Sequence, residues 1–164
     1  MKSTGKTRRI AACGILAALY AVITLITTPL SYGLVQFRLS ECLVVLCAFE
    51  PTLGIGITLG CFLANMFSTV TALDMIIGTL ATALACLLTA RCRKAWLLPL
   101  PNVLINALLV GGMLAFVLYP NQLLLGFAIA FGQVALGEAV VMYALGVPLY
   151  LFAKRTAFVE QLLK

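Results

Sequence analysis

Apolar residues along this chain fall into six blocks, each closed by a turn residue, a proline or positive charge. The first block covers residues 10–30 and ends at Pro29. A semi-polar connection, Ser31-Tyr-Gly-Leu-Val-Gln-Phe-Arg38, leads to a short block at 39–50. That block closes at Glu50-Pro51, where proline disfavours helix at the preceding residue. Further blocks follow at 52–68, with Gly54, Gly56 and Gly60 on it, and at 73–90. The fifth, 95–118, is interrupted early by Pro99 and Pro101, and Tyr119-Pro120-Asn121 is a turn before the sixth, 122–153. A helix crosses a bilayer core with about 20 apolar residues at about 1.5 Å each. The pattern therefore predicts an all-α polytopic membrane protein: six transmembrane helices in a single integral membrane domain, 1–164. The second span is short for this role and is expected to be tilted or partly interfacial.

Composition strengthens that reading. The chain is 63% hydrophobic and 10% charged, where a soluble domain carries about 45–50% and about 25%. So little charge cannot cover a water-facing surface. Nor do six spans leave length for a catalytic domain, and the chain is not expected to be an enzyme. The first block has the basic start of a signal peptide but is too long for the apolar region of one, and more spans follow.

Charge placement sets the topology. Basic residues cluster at Lys2, Lys6, Arg8 and Arg9, at Arg91, Arg93 and Lys94, and at Lys154, Arg155 and Lys164. Cytoplasmic loops and ends carry such excess. With six spans every cluster lies on one side and both termini are inside; five spans would misplace one cluster. The net charge of +6 thus belongs to a bilayer partner and not to nucleic acid. Arg38 alone falls outside the scheme.

Several chemistries are set aside. Cysteines stand at 13, 42, 47, 61, 86 and 92 without a CxxC pair, and the chain has no histidine. Thiol zinc sites use close pairs or Cys/His clusters, so no metal site is expected and the cysteines read as small apolar fillers. Gly5-Lys6-Thr7 matches the end of a phosphate-binding loop, but neither the earlier glycine nor a preceding strand is there. No catalytic residue is assigned.

The candidate binding chemistry lies in polar residues within or beside the apolar blocks: Arg38, Glu41, Asn65, Asp74, Asn102, Asn106, Gln133 and Glu138. A carboxylate in hydrocarbon costs on the order of 3 kcal/mol by insertion scales. Such groups pair, line a cavity or meet a ligand. In the six-span topology Arg38, Glu41 and Asp74 lie at the outer ends of spans two and four. Asn65 is in the outer part of span three, and Gln133 and Glu138 reach the upper and middle part of span six. Asn102 and Asn106 share one face of span five and approach the same depth from inside. The set is expected to form one substrate pocket open to the outside. The structural alternative is a group of interhelical hydrogen bonds, with an Arg38–Glu41 pair across one turn. Glu50 is expected to be a solvated loop carboxylate.

Amides and carboxylates suit planar rings with several donors and acceptors, and Tyr32, Phe37 and Phe67 offer aromatic faces. One carboxylate can accept a guanine-like edge while another meets an ammonium group. Vitamins, nucleobases and amines all remain open on this chemistry. In the first block Gly14 with Ala18, and Ala17 with Ala21, form small-xxx-small patterns that allow close helix approach. They serve either a partner or packing within the bundle.

Gln36-Phe-Arg-Leu-Ser-Glu41, Leu73-Asp-Met-Ile-Ile-Gly78, Pro99-x-Pro101-Asn-x3-Asn106 and Gly132-Gln-x3-Leu-Gly-Glu138 resemble the queuosine-precursor transporter family of the QueT type. The likeness extends over nearly the whole chain. It implies the substrate-binding S component of an energy-coupling factor (ECF) transporter in the bacterial plasma membrane. Its implied partners are a transmembrane coupling protein and two ATPase subunits, which use the ATP; no cofactor is expected in this chain. The implied substrate is a deazaguanine precursor of queuosine: queuine, or its aminomethyl or cyano precursors. Substrate is captured outside, and the subunit topples in the membrane to release it inside. The resemblance also turns the small residues of the first block into a docking face, Ala17 and Ala21 fitting an AxxxA pattern and Gly14 and Ala18 a looser one. The rival is a stand-alone proton-coupled carrier of a small planar or cationic solute, with Glu138 or Asp74 as proton site. Such carriers commonly use larger, repeated bundles, and no inverted repeat is visible. A non-transporting scaffold explains the polar set poorly.

Overall fold

The protein is described from a computed structural model over residues 3–32, 35–68, 72–156 and 159. Lys2 and Lys164 of the basic clusters, and Gly33 and Leu34 of the first connection, lie outside the described residues. The described chain is all-helical. Helix α1 covers Ser3–Ile26 and a short α2 covers Thr28–Ser31. Then come a 3-10 helix at Leu39–Ala48, α3 at Leu53–Asn65 and α4 at Leu73–Thr89. A 3-10 turn at Ala95–Leu97 precedes α5, Pro99–Leu118. The last rod is α6, Leu123–Val141, a π turn at Met142–Gly146, and α7, Val147–Thr156.

Three of these helices, Gly5–Ile26, Ala95–Leu118 and Leu123–Thr156, are long and apolar enough to cross a membrane. Leu39–Ala48, Leu53–Asn65 and Leu73–Thr89 are shorter and equally apolar. The distribution of polarity is inverted relative to a soluble bundle. Arg38, Glu41, Asp74, Asn102, Asn106 and Glu138 are buried, while Ile10, Ile26, Ile55, Phe62, Leu87, Leu108, Leu124 and Phe152 are exposed. Only an apolar solvent makes such a surface favourable.

Element by element, the expected blocks are present with physically informative differences. The basic start of the chain is already helical from Ser3, so α1 extends beyond its apolar run. Pro29 does not end that run. The break comes at Thr27, and Pro29 sits in the first turn of α2, where its missing N–H has no helical partner to lose. In the fifth block Pro99 likewise starts α5. The second block forms a 3-10 helix of ten residues, where runs beyond 3–4 residues are uncommon. At about 2.0 Å per residue against about 1.5 Å in an α-helix, this winding carries a short block further across the bundle. It also stacks every third side chain, which puts Arg38, Glu41, Val44 and Cys47 in one row. In the sixth block the π turn ends two residues before Pro148. Proline there has no N–H to donate and would crowd a regular α-turn, and the wider turn relieves both.

Helix packing is closest where glycine removes the side chain. A Cβ on Gly56 would fall 2.3 Å from the Cys13 carbonyl oxygen, and one on Gly60 2.5 Å from that of Ala17. Backbone therefore meets backbone along α1 and α3. The larger core surrounds the 3-10 helix, whose Val44, Val45, Leu46 and Cys47 pack with Tyr20, Ile57, Leu98, Met142 and Tyr150. A second core joins α4, α5 and α6 through Ala81, Val110, Leu114, Ala130 and Val134. Ala12, Cys92, Ala95, Ala153 and Val159 share the larger core. Arg9 pairs with Glu50, Phe49 stacks on Tyr150, and Ala90 lines a groove with Pro51, so the described members of the three basic clusters lie at one end of the bundle. There Glu50, expected to be solvated, pairs with Arg9 at 3.0 Å and accepts the Thr52 hydroxyl at 3.0 Å.

Candidate functional site

Opposite the basic end, the bundle interior becomes polar. Helix α4 is buried along Asp74, Gly78, Ala81, Thr82, Ala85 and Thr89, one face at helical spacing. That face presents a carboxylate, a gap and a hydroxyl to the segment before the 3-10 helix. Arg38 Nη2 approaches Asp74 Oδ1 at 3.7 Å, with both side chains fully buried. Ser68 Oγ donates to Asp74 Oδ2 at 2.5 Å, and Asn65 Nδ2 donates to the Asp74 carbonyl at 3.0 Å. The Arg38 guanidinium lies over the Tyr32 ring, 5.4 Å from its centre. Tyr32 donates to the Ala64 carbonyl at 2.8 Å. Burial pushes its phenol up to about 12 against the opposing pull of Arg38, so at neutral pH it remains a donor.

Two helical turns along α4, Thr82 donates to Glu41 Oε1 at 2.9 Å, and Tyr20 of α1 donates to the same oxygen at 2.5 Å. Deeper still, Asn102 Nδ2 donates to Glu138 Oε2 at 2.8 Å, and Asn106 Nδ2 donates to the Asn102 carbonyl at 3.0 Å. With Arg38, Asp74 and Glu41, these groups form one buried polar column.

Two glycines shape it. A Cβ on Gly137 would lie 2.5 Å from the Gln36 carbonyl oxygen, so glycine lets α6 bring Glu138 against the 35–38 segment. A Cβ on Gly78 would lie 2.7 Å from Asn65 Nδ2 and 3.3 Å from Arg38 Nη1. Gly78 holds open the space these two side chains fill.

Of the residues expected in the site, Arg38, Glu41, Asn65, Asp74, Asn102, Asn106 and Glu138 are all at most 2% exposed. Gln133 is different. It is half-buried and lies about 140° around α6 from Glu138 at 3.6 residues per turn, at the opposite edge of the buried stripe of Ala130, Val134, Gly137 and Glu138. Arg38 lies against Asp74 and not, as in the structural alternative, against Glu41, whose Oε1 accepts from Tyr20 and Thr82. Phe67 is 64% exposed and gives the column no stacking face; Phe37 is half-buried. The column is closed, whereas an open pocket was expected. A cavity of about 500 Å³ lies elsewhere, as an apolar groove between α3 and α4 lined by Ile55, Leu59, Phe62, Ala83 and Leu87.

Residues the sequence pattern did not single out complete the column: Tyr20, Gln36, Cys61, Ser68 and Thr82. Cys61 Sγ receives the Asn65 amide and the Thr82 hydroxyl, both at 3.3 Å. Thr82 follows Asp74 and Gly78 at four-residue steps, a signal that its tolerance in apolar helices hides.

Many polar atoms in the column have no hydrogen-bond partner among the described residues: Gln36 Nε2, the three Arg38 nitrogens, Glu41 Oε2, Asp74 Oδ1, and Oδ1 of Asn102 and Asn106. Each buried atom of this kind costs about 1–3 kcal/mol. A network serving stability alone would be satisfied or absent. These donors and acceptors all lie in the buried interior of the bundle.

On α1 the small residues separate into two sets. Gly14 and Ala18 are exposed, whereas Ala17 is buried against Gly60 of α3 and Ala21 packs half-buried on the core. In this arrangement only Gly14 and Ala18 face outward.

An apolar-surfaced helical bundle with a buried polar column is the architecture of a membrane protein. The sequence profile of the QueT transporter family matches residues 10–155, and the chain belongs to that family, one of transporters and not enzymes. It is similar to the queuosine precursor transporter QueT of Lactococcus lactis subsp. cremoris (strain MG1363), 41% identical over 81 residues. The match covers 47% of this chain and 46% of the relative, so it reaches about half of the relative's length. No solved structure matches the chain.

Proposed function

We propose that this protein is the membrane-embedded substrate-binding subunit for uptake of queuosine precursors, deazaguanine bases captured in the column between Arg38–Asp74 and Asn102–Glu138. The observation that carries the proposal is the set of unpartnered buried donors and acceptors in a chain of a transporter family. The substrate class comes from the name of the Lactococcus relative. A guanine-like ring has an N–H edge for the Glu138 carboxylate and the Asn102 and Asn106 amide oxygens.

In this reading the chain makes six passes of the plasma membrane with both termini inside. The basic clusters collected at one end support that orientation. The column then runs inward from the outer ends of the 3-10 helix and α4, where substrate enters, to Asn102 and Glu138. Powering comes from two partner ATPase subunits through a transmembrane coupling protein, which hydrolyse the ATP; the outward face of Gly14 and Ala18 on α1 offers close backbone approach to that protein. Purification in mild detergent from the native membrane, followed by uptake into vesicles, tests this. Co-purifying ATPases and uptake that needs ATP are expected. Uptake by the isolated chain under a proton gradient alone would replace the proposal with a secondary carrier.

A further inference from the structure

The charges of the column do not balance. Glu41, Asp74 and Glu138 are each at most 1% exposed, and the one buried cation among the described residues is Arg38. Every other described lysine and arginine is exposed. Arg38 lies against Asp74, which leaves two buried carboxylates without a cation. A buried charge with no counter-charge is costly, several kcal/mol even after relaxation, and the apolar surroundings offer no water to replace one.

Glu41 has the sharper imbalance. Its Oε1 is engaged by two neutral hydroxyls, Tyr20 and Thr82, which fix the orientation of the carboxylate. Its Oε2 is buried and has no partner among the described residues. The Arg38 guanidinium lies against Asp74 instead. Glu138 has a different neighbourhood: an amide donor in Asn102 and free amide oxygens beside it. That is a place for a planar N–H edge. The column therefore has two poles with different needs, one for a ring edge and one for a compact cation.

We propose that the ligand of this site is a cation whose ammonium group sits on Glu41 Oε2 while its ring edge meets Glu138. This rests on the reading of the column as the queuosine-precursor site. It selects, within the deazaguanine class, bases carrying a basic amine on a short arm over neutral ones carrying a nitrile there. An ammonium supplies three donors at one point and cancels one buried negative charge; a nitrile is an acceptor and adds an unmatched lone pair beside a carboxylate.

The test is calorimetric titration of the purified full chain with three probes: a deazaguanine with an aminomethyl arm, one with a hydroxymethyl arm, and one with a nitrile. The intact protein is expected to bind the amine at least about tenfold more tightly than either neutral base, an affinity ratio worth about 1.4 kcal/mol. In Glu41→Gln the amine is expected to lose at least about tenfold while the neutral bases stay within about threefold. The comparison in the intact protein needs no variant to fold. Equal affinity for the amine and neutral bases would overturn the proposal, as would an equal loss of all three in a folded Glu41→Gln protein. Binding of none of them by the intact protein would overturn the functional reading beneath it.

Discussion

Replacing Gly78 and Gly60 by alanine makes the same chemical change against two different neighbours. At Gly60 the new Cβ meets the Ala17 carbonyl oxygen at 2.5 Å and the Ala17 Cα at 2.9 Å. Both are backbone of a packed helix, so α1 must move away from α3. Overpacking of this kind typically costs about 1–3 kcal/mol, more than the gain of up to about 1 kcal/mol from alanine's better helix propensity. At Gly78 the nearest atoms are the ends of the Asn65 and Arg38 side chains, at 2.7 and 3.3 Å. They can shift, with loss of the Asn65 bond to the Asp74 carbonyl, about 1 kcal/mol. That loss and the propensity gain nearly cancel. Gly78→Ala should therefore unfold within about 2 °C of the intact protein, and Gly60→Ala several degrees lower, at the roughly 2–4 °C per kcal/mol of a chain this size. Ligand binding should show the reverse order. Gly78→Ala displaces two site residues and is expected to weaken binding at least about tenfold, while Gly60→Ala leaves it near normal in the folded fraction. Thermal unfolding in detergent with a binding titration reads both. If Gly78→Ala binds normally, Arg38 and Asn65 do not touch ligand, and the column begins deeper than assigned.

Further outcomes concern surfaces and topology. Ala18→Trp should abolish co-purification of the coupling protein and leave substrate affinity within about twofold, because its side chain faces outward. Ala17→Trp instead should fail to fold or lose thermal stability, since it is driven into Gly60; normal assembly of Ala18→Trp would move the docking face elsewhere. A single cysteine at position 121 in a cysteine-free protein should react with an impermeant maleimide from outside intact cells. Labelling at that position only from the inside would exclude the six-span orientation.

The sequence already carries much of this architecture, because the bilayer makes apolar blocks and charge clusters unusually direct reporters of helices and ends. Seven of the eight expected site residues are at most 2% exposed, since a charge or amide in an apolar block has no other favourable place to go. Gln133 shows where the rule weakens. A glutamine at the edge of a buried stripe can remain half-buried, and only the register relative to Glu138 decides. The 3-10 winding of Leu39–Ala48 was not legible, because apolar periodicity over ten residues does not distinguish it from an α-turn. The fate of Ala17 was equally hidden. A small-xxx-small pattern announces close approach, but whether the approaching helix belongs to the same chain depends on Gly60, more than forty residues away in sequence.

The central claim is that the buried column binds the substrate, and Glu138→Gln tests it most directly. The substitution keeps size and shape but turns one carboxylate oxygen into a donor. It leaves a ligand N–H unmatched, at about 1–3 kcal/mol or more where charge is lost. Calorimetric titration of the purified variant with an aminomethyl deazaguanine, its helical content checked by circular dichroism, should show affinity lower by at least about tenfold. Unchanged affinity in a folded Glu138→Gln protein would contradict the account and leave the Asn102–Glu138 pair as a bond between helices.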